Sequence, residues 1–357
     1  MLDLLEKLGK TVEKIKGLED QREKLGLFLR EVKDKVEFSG DVLEKEMIHK
    51  VEKVDLAGKV VVGVDGGLSK HAYHGLDIIL TRAVAAIFRY APLRVDYYPE
   101  AITSPKLTIL ADPYSDDEFV VSSSLERQRE EIKIAIEVCD KFSPDIVLMD
   151  GSIVPHGNDK PREESPAWER YENVFLQFKQ LFSKAKLLAG CVEDSRGRRF
   201  CEIVSEQVLT NVDGQTEALD RVLQGTRDTN LLYHLLKEGE RSFVFRYSRE
   251  PEAHPILNDL GEWGKKIYSF YIKTAEFDRP VRIDFVSKNP IDDANIIASF
   301  VLSTSCNSSY GIPAPIVEAD LRAKLKEREA DDLHNQLVDR LGITPSLMKL
   351  RRDQRPF

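Results

Sequence analysis

Residues 60–67 (VVVGVDGG) constrain the fold more strongly than any other stretch of the chain. Four of the first five residues are valine, and β-branched side chains favour a buried strand. The predicted strand ends in Asp65, and the two glycines behind it can turn the chain tightly. A buried carboxylate needs a cationic partner, and divalent metal ions prefer carboxylate oxygens. The segment therefore predicts either a metal ligand or an aspartate that caps a turn after a core strand.

Composition is typical of a globular protein. With 357 residues, 42% of them hydrophobic and 32% charged, the chain can bury a large core. No apolar run reaches the ~18 residues of a membrane span, and we expect a cytoplasmic protein with no membrane contact. The four cysteines form no CxxC pair, which argues against a zinc ribbon or a disulfide framework. The net charge of −9 weighs against a surface that is basic throughout, although basic clusters can be local.

The order of predicted elements indicates an α/β protein. A helical arm is predicted over residues 1–36, with breaks near Gly9, Gly17 and Gly26. Ser122 to Ser124 offer N-caps to a helix that runs to about Phe142. Other helices are predicted from Pro166, after Arg199 to about 209, and at 230–236, 294–302 and 315–341. Strands are predicted at 60–65, 76–90, 93–98, 107–111, 119–122, 145–150, 186–192, 243–247, 267–272 and 281–286. No stretch of the sequence has the composition of a linker between two domains. We therefore treat residues 51–357 as one domain, preceded by an N-terminal helical arm (1–50).

Three carboxylates are candidates for one site. Asp65 and Asp150 would both follow neighbouring strands at their carboxyl ends, where α/β folds place their sites. Two-metal nucleases need several carboxylates that converge on ions ~3.5–4 Å apart. The intervening helix offers Glu131, which heads an inward apolar stripe, with Glu130 as the fallback. Glu126, Glu130, Lys133 and Glu137 instead share a stripe at helical spacing that predicts a solvated face.

Two further carboxylates each have two interpretations. Asp228 precedes a short helix and is either an N-cap or a ligand. Asp320 lies in an amphipathic helix near the C-terminus, where spacing alone favours a surface charge over a ligand. Basic side chains that could contact DNA form two clusters: Arg196, Arg198 and Arg199, and then Lys349, Arg351, Arg352 and Arg355.

Taken together, the motifs resemble those of a known family. They are VGVDGG (62–67), Arg127 through Glu131, LMDGS (148–152), Asp194-Ser195, GERS (239–242) and the proline-rich entry to the Ala319-Asp320 helix. In this order and spacing they are similar to NurA, a family of prokaryotic 5′→3′ DNA nucleases with an RNase H-like fold. The resemblance covers roughly residues 55–355, including the closing LRRDQR.

The resemblance implies an RNase H-like mixed sheet flanked by helices, and a nuclease that uses manganese or magnesium, with two ions per site. It implies a homodimer that acts in DNA end resection, on single strands and duplex ends, with a HerA-type hexameric helicase. Asp65, Glu131 and Asp150 would be catalytic metal ligands, with Asp320 and Asp228 as further ligands. The chain departs from the family in two places. It has Glu193 where a lysine is common, so that Arg196, Arg198 and Arg199 are the nearest substitutes, and Asp320 where histidine is frequent.

Two other functions remain open from the sequence. Residues 63–69 (GVDGGLS) also resemble the first phosphate loop of actin-like ATPases and sugar kinases, although nothing between 200 and 320 is glycine-rich enough for the adenosine loop. A catalytically silent DNA-end adaptor is the other alternative, and it would bind DNA without metal or cleavage. No GxSxG motif is present, which argues against a serine nucleophile.

Overall fold

A computed structural model describes residues 2–33, 36–100, 104–110, 114–208, 216–342 and 344–351. Its contacts divide the chain into two compact units. The first unit contains Met1–Asp55, Cys191–Arg249 and Ile267–Pro313, and the second contains Leu56–Gly190, Glu250–Lys266 and Ala314–Phe357. These packing units do not test the division at residue 50, which stays a prediction. Across the described residues, no helix combines the length and the apolar character needed to cross a membrane.

The described helices and strands alternate one by one only in the middle of the chain, and elsewhere they come in runs of three to five. The helices are α1 (Leu2–Val32), α2 (Asp116–Phe142), α3 (Trp168–Lys184), α4 (Arg199–Gln207), α5 (Thr216–Gln224), α6 (Asp228–Leu235), α7 (Pro290–Thr304), α8 (Ala314–Ala323) and α9 (Glu327–Leu341). The strands are β1 (Ile48–Lys50), β2 (Val60–Ala72), β3 (Asp77–Arg89), β4 (Arg94–Tyr98), β5 (Lys106–Leu110), β6 (Ile146–Asp150), β7 (Leu188–Val192), β8 (Glu240–Ser242), β9 (Phe245–Arg246), β10 (Ile267–Lys273) and β11 (Val281–Val286). The mixed α/β class predicted from the sequence is confirmed.

In the first unit, an antiparallel sheet runs in the order β1-β8-β10-β11, and β9 pairs with β10. The helix α1 packs on α6, where a Cβ added at Gly26 would lie 2.9 Å from the Cβ of His234. The predicted breaks at Gly9, Gly17 and Gly26 are wrong, because α1 is continuous through all three. Its C-terminal half joins a core with aromatic residues such as Phe200 and Phe243, which explains why the helix tolerates glycine there.

In the second unit, β6, β2, β3 and β4 lie side by side in that order. The strand β2 is parallel to β6 and antiparallel to β3, and β5 pairs with the other end of β3. Every residue of β3 except the last is buried, which is expected for a strand covered on both faces. Helix α2 packs on β2 and β3 and also on α3, while α8 packs on β2, β3 and β6.

The predicted turn after Asp65 is wrong. The strand β2 continues to Ala72, with Gly66 opposite Ala83 and Gly67 opposite Arg82. The glycines serve close packing instead, because a Cβ at Gly67 would lie 2.1 Å from the backbone oxygen of Ala323 in α8. Asp65 therefore lies in the middle of a long strand.

Local capping explains a second error, the strand predicted at 119–122. Ser115 and Glu118 form a capping box, in which the serine side chain accepts from the Glu118 backbone and the glutamate side chain accepts from the Ser115 backbone. The helix α2 therefore begins at Asp116, and Ser122 and Ser123 lie buried within it. Similarly, α3 begins at Trp168 rather than at the predicted Pro166.

Candidate metal centre

Two aspartates meet on adjacent parallel strands. The register of β2 and β6 sets Val64 opposite Met149, so that the next residues, Asp65 and Asp150, are neighbours. Their side chains are hydrogen bonded to each other. Two carboxyl groups can share a hydrogen bond only if one of them is protonated. The pair therefore forms a site where negative charge is already in excess.

Glu131 reaches the same place from α2. It is buried, and its Oε1 would lie 2.4 Å from a Cβ built at Gly66. The missing side chain at Gly66 thus makes the space that the Glu131 carboxylate fills. The preference for Glu131 over Glu130 agrees with this geometry, since Glu130 instead pairs with Lys106 and Arg129.

Asp320 approaches the cluster from α8. Side chains of a strand alternate between its faces, so Gly63, Asp65 and Gly67 share one face of β2. Cβ atoms at both glycines would collide with the backbone of α8, at Pro315 and at Ala323. Asp320 lies on this helix, and its charge contributes to the raised pKa of Asp65. Helices α2 and α8 therefore bring carboxylates to β2 from opposite faces.

The electrostatics of these carboxylates reflect burial and crowding. Burial raises the pKa of Asp65, and the charge of Asp320 adds to this, while the backbone N–H of Gly66 and the charge of Arg127 oppose it. Burial is also the main cause that raises the pKa of Glu131 to about 8, and the charges of Asp65 and Asp150 act in the same direction. Such shifts mark a site that lacks sufficient positive charge.

Arg127 is the nearby cation. Its Nη1 lies 2.5 Å from Oε1 of Glu131, one helical turn further along α2. The pKa of Arg127 is raised, first by the charge of Glu131 and then by those of Asp65, Asp150 and Asp159. A cavity of about 180 Å³ opens beside these residues, and its lining includes Arg127, Glu131, Asp150 and Asp159. The spacing of four residues between Arg127 and Glu131 is the one local pattern that indicates this pairing.

The donor atoms, although not their present arrangement, suit a divalent cation. Among the described residues, no group of three or more His, Cys, Asp and Glu side chains is arranged so that it could hold a metal ion. Oxygen donors from carboxylates are nevertheless the ligands that manganese and magnesium prefer. Asp65 and Asp150 are hydrogen bonded to each other, and Glu131 lies in a space that a Cβ at Gly66 would fill. A metal ion would supply the positive charge that this group needs.

Asp228 belongs to the first unit, whereas Asp65, Glu131, Asp150 and Asp320 belong to the second. Its carboxylate accepts hydrogen bonds from the backbone N–H groups of Phe200 (3.0 Å) and Cys201 (2.9 Å) and from the Tyr271 hydroxyl (2.8 Å). It does not cap its own helix, whose N-cap is Arg227. These three donors identify Asp228 as the carboxylate that holds the start of α4, so we leave it out of the metal-binding set proposed below.

The predicted DNA-binding arginines differ in their surroundings. Arg196 and Arg198 are exposed, whereas Arg199 is half-buried and forms ion pairs with Asp41 and Glu202. Arg351 is exposed. Arg352 and Arg355 lie outside the described residues. Arg196, Arg198 and Arg351 are therefore the side chains of this set that lie open to a large ligand.

The predicted solvated stripe on α2 is wrong for Glu126. This side chain is only 2% exposed and pairs with Arg129 (2.7 Å) and with Arg170 of α3 (3.0 Å). Glu126 is covered because α3, which carries Arg170, packs along α2 in this unit. Helical spacing alone does not reveal which polar face a second helix will cover.

Comparison with known proteins decides the family. A NurA domain model matches residues 59–325, about three quarters of the chain. The chain belongs to the NurA family. Its fold is similar to the NurA nuclease of Sulfolobus solfataricus (TM-score 0.59, 15% identity, covering 96% of this chain and 98% of that one). It is also similar to a NurA bound to dAMP and manganese (TM-score 0.56, 12% identity, covering 98% and 100%). Comparison with curated protein sequences finds no match.

These matches confirm the predicted fold class, an RNase H-like mixed sheet flanked by helices. The NurA domain begins one residue before β2 and ends two residues after α8. It therefore includes every carboxylate of the cluster. The segment that matches the NurA domain model is thus the segment that carries these carboxylates.

Proposed function

We propose that this NurA family member is a divalent-metal-dependent DNA nuclease that hydrolyses phosphodiester bonds. The observation that carries the proposal is the crowding of negative charge: Asp65 is hydrogen bonded to Asp150, and the charges of both aspartates raise the pKa of Glu131. Solved relatives with the same fold include a NurA with manganese and a NurA bound to dAMP and manganese. A carboxylate cluster in this fold is the donor set that such an enzyme requires.

Asp65, Glu131, Asp150 and Asp320 are the proposed ligands of two manganese or magnesium ions. When bound, such ions polarise a phosphoryl oxygen and lower the pKa of a bound water. The protein holds the proposed ligands in position. The paired strands β2 and β6 fix Asp65 beside Asp150, and packing against Gly66 fixes Glu131. Asp320 is exposed on α8 and leaves one side of the site open to a polymer. Exposed Arg196, Arg198 and Arg351 are the proposed contacts to the phosphate backbone.

Membership of the family supports finer proposals. We propose 5′→3′ cleavage at DNA ends, a homodimer, and cooperation with a HerA-type hexameric helicase in end resection. The net charge of −9 supports the need for a partner, because an acidic chain attracts DNA poorly on its own. A ring-shaped helicase would raise the effective concentration of DNA at the site.

One assay tests the activity. Labelled single-stranded and duplex DNA are each incubated with the full-length protein in manganese, magnesium or chelator. We expect cleavage with metal and none with chelator, and Asp65→Asn or Asp150→Asn should abolish it. Asp140→Asn is the control, since Asp140 is an exposed carboxylate near the end of α2 that pairs with Lys184. Metal-independent DNA binding without cleavage would instead support the adaptor alternative.

A further inference from the structure

A buried group of carboxylates needs a cation even before metal arrives. Asp65 and Glu131 are both buried, and Asp150 is hydrogen bonded to Asp65. Several like charges in a space of low polarity repel one another and lose their hydration. A chain that must fold before it meets a metal ion therefore requires some other positive charge near this place.

Arg127 meets this requirement by geometry. It lies four residues before Glu131 on α2, and its Nη1 is 2.5 Å from Oε1 of Glu131. The two partners differ in exposure, because the side chain of Arg127 is 32% exposed and that of Glu131 is 7% exposed. The guanidinium can therefore move toward solvent or into the adjoining cavity, which it helps to line, while Glu131 stays in place.

We propose that Arg127 is the resident counter-cation of the carboxylate cluster, which holds Glu131 in the metal-free protein and is displaced from it when a divalent cation binds. The inference rests on the proposed function, since it concerns the same site. No bond is made or broken in this exchange. One ion pair is replaced by metal coordination, and the guanidinium keeps its charge.

The exchange has two opposite effects on the protein. Arg127 stabilises the metal-free fold, because it donates a hydrogen bond to the buried carboxyl group of Glu131 and places a positive charge beside the neighbouring carboxylates. It also weakens metal binding, because the metal must compete for Glu131 and then tolerate a positive charge nearby. A residue that served only to hold the metal-bound site together would have the reverse effect on metal affinity.

Manganese affinity of the full-length protein without DNA tests the inference, by electron paramagnetic resonance of free Mn²⁺. We expect Arg127→Gln to bind Mn²⁺ about tenfold more tightly than the unsubstituted protein. Lys133→Gln is the matched control: it removes one positive charge from the same helix, but Lys133 faces Glu137. It should change the affinity less than about twofold.

Unfolding temperature gives a second readout. In chelator, Arg127→Gln should unfold at a lower temperature than the unsubstituted protein, and Mn²⁺ should raise its unfolding temperature by more. If Arg127→Gln does not fold in chelator, Arg127→Lys replaces it. A lysine keeps the charge but not the fork of donors, and we expect it to tighten Mn²⁺ binding by a few fold.

The outcomes separate this inference from the proposed function. Unchanged or weaker Mn²⁺ binding in both Arg127 variants, with normal binding and cleavage by the unsubstituted protein, would refute the counter-cation role alone. An unsubstituted protein that neither binds Mn²⁺ nor cleaves DNA would refute the proposed function as well.

Discussion

The side chain of Glu131 occupies the space that a side chain at Gly66 would need. A Cβ added to Gly66 would lie 2.4 Å from Oε1 and 2.6 Å from Cγ of the glutamate. The contact is with the end of a flexible side chain, so the chain can accept a methyl group at Gly66 by moving Glu131. The position of the Glu131 carboxylate thus depends on the absence of a side chain at Gly66 of β2.

The first prediction follows from this contact. Gly66→Ala should fold but lose cleavage activity by about 10²-fold, because it moves one proposed ligand out of position. Gly63→Ala is the comparison, since its Cβ would lie 2.2 Å from the backbone of Pro315, which cannot move aside as a side chain can. It should lower the free energy of unfolding by roughly 1–3 kcal/mol. Urea unfolding and cleavage rates measure the two effects, and equal stability loss in both variants would contradict the expectation.

The second prediction separates two adjacent glutamates. Glu131→Gln should lower the cleavage rate by at least about 10²-fold, because it removes a charged ligand from the site. Glu130→Gln should be mild, since Glu130 pairs with Lys106 at 2.5 Å and lies outside the cluster. Single-turnover cleavage in manganese measures both. A severe defect in Glu130→Gln with a mild one in Glu131→Gln would reverse the assignment.

The third prediction concerns pH in the absence of metal. The pKa of Glu131 is raised from 4.5 to about 8 in the folded protein, mainly by burial. Because the folded protein holds this proton more tightly than the unfolded chain does, the contribution of Glu131 to stability is complete below pH 4.5 and is lost as pH rises to about 8. In chelator, the free energy of unfolding of the unsubstituted protein, relative to that of Glu131→Gln, should therefore fall as pH rises from 4.5 to about 8.

Urea unfolding at several pH values checks this expectation. The difference between the unsubstituted protein and Glu131→Gln isolates the one group from all the other titrating residues. Saturating Mn²⁺ should remove the dependence, because a bound cation keeps the carboxylate ionised. A difference that does not vary with pH would show that the folded protein ionises Glu131 like the unfolded chain.

The fourth prediction concerns DNA and salt. If binding depends on local clusters such as Arg196 and Arg198, the protein alone should bind DNA weakly, with a slope of about 0.7–0.9 per phosphate neutralised. Arg196→Gln with Arg198→Gln should reduce that slope, measured by fluorescence anisotropy. A HerA-type partner should stimulate cleavage strongly at moderate salt and little at low salt. Stimulation that is independent of salt would show that the partner acts on catalysis instead.

The sequence predicted the carboxylate pair because both residues follow runs of apolar β-branched or aliphatic residues. Strands at 60–65 and 145–150 were sufficient to place Asp65 and Asp150, since buried strands leave a clear hydrophobic pattern. The continuation of β2 past Asp65 was not predictable from turn propensity. Glycines at 66 and 67 suit a turn equally well, and the strand stays extended because both pair with β3 and because α2 and α8 pack against them.

One local contact and one long-range contact explain two other errors. The start of α2 is misplaced by the sequence prediction because the serines at 122–124 satisfy the N-cap preference as well as Ser115 does, and the reciprocal hydrogen bonds between Ser115 and Glu118 decide between them. The burial of Glu126 depends on Arg170, which lies far along the sequence on α3. No local pattern encodes this second contact.

The close approach of α8 to β2 has a consequence for how the protein is made. Asp65, Glu131 and Asp150 are all translated before Asp320, which lies on α8. At Gly63 and Gly67 that helix rests on the strand backbone itself. On the proposed assignment of Asp320 as a ligand, a nascent chain therefore carries an incomplete site until α8 has been translated. A nuclease assembled in this order would stay harmless to nucleic acids around it during its own synthesis.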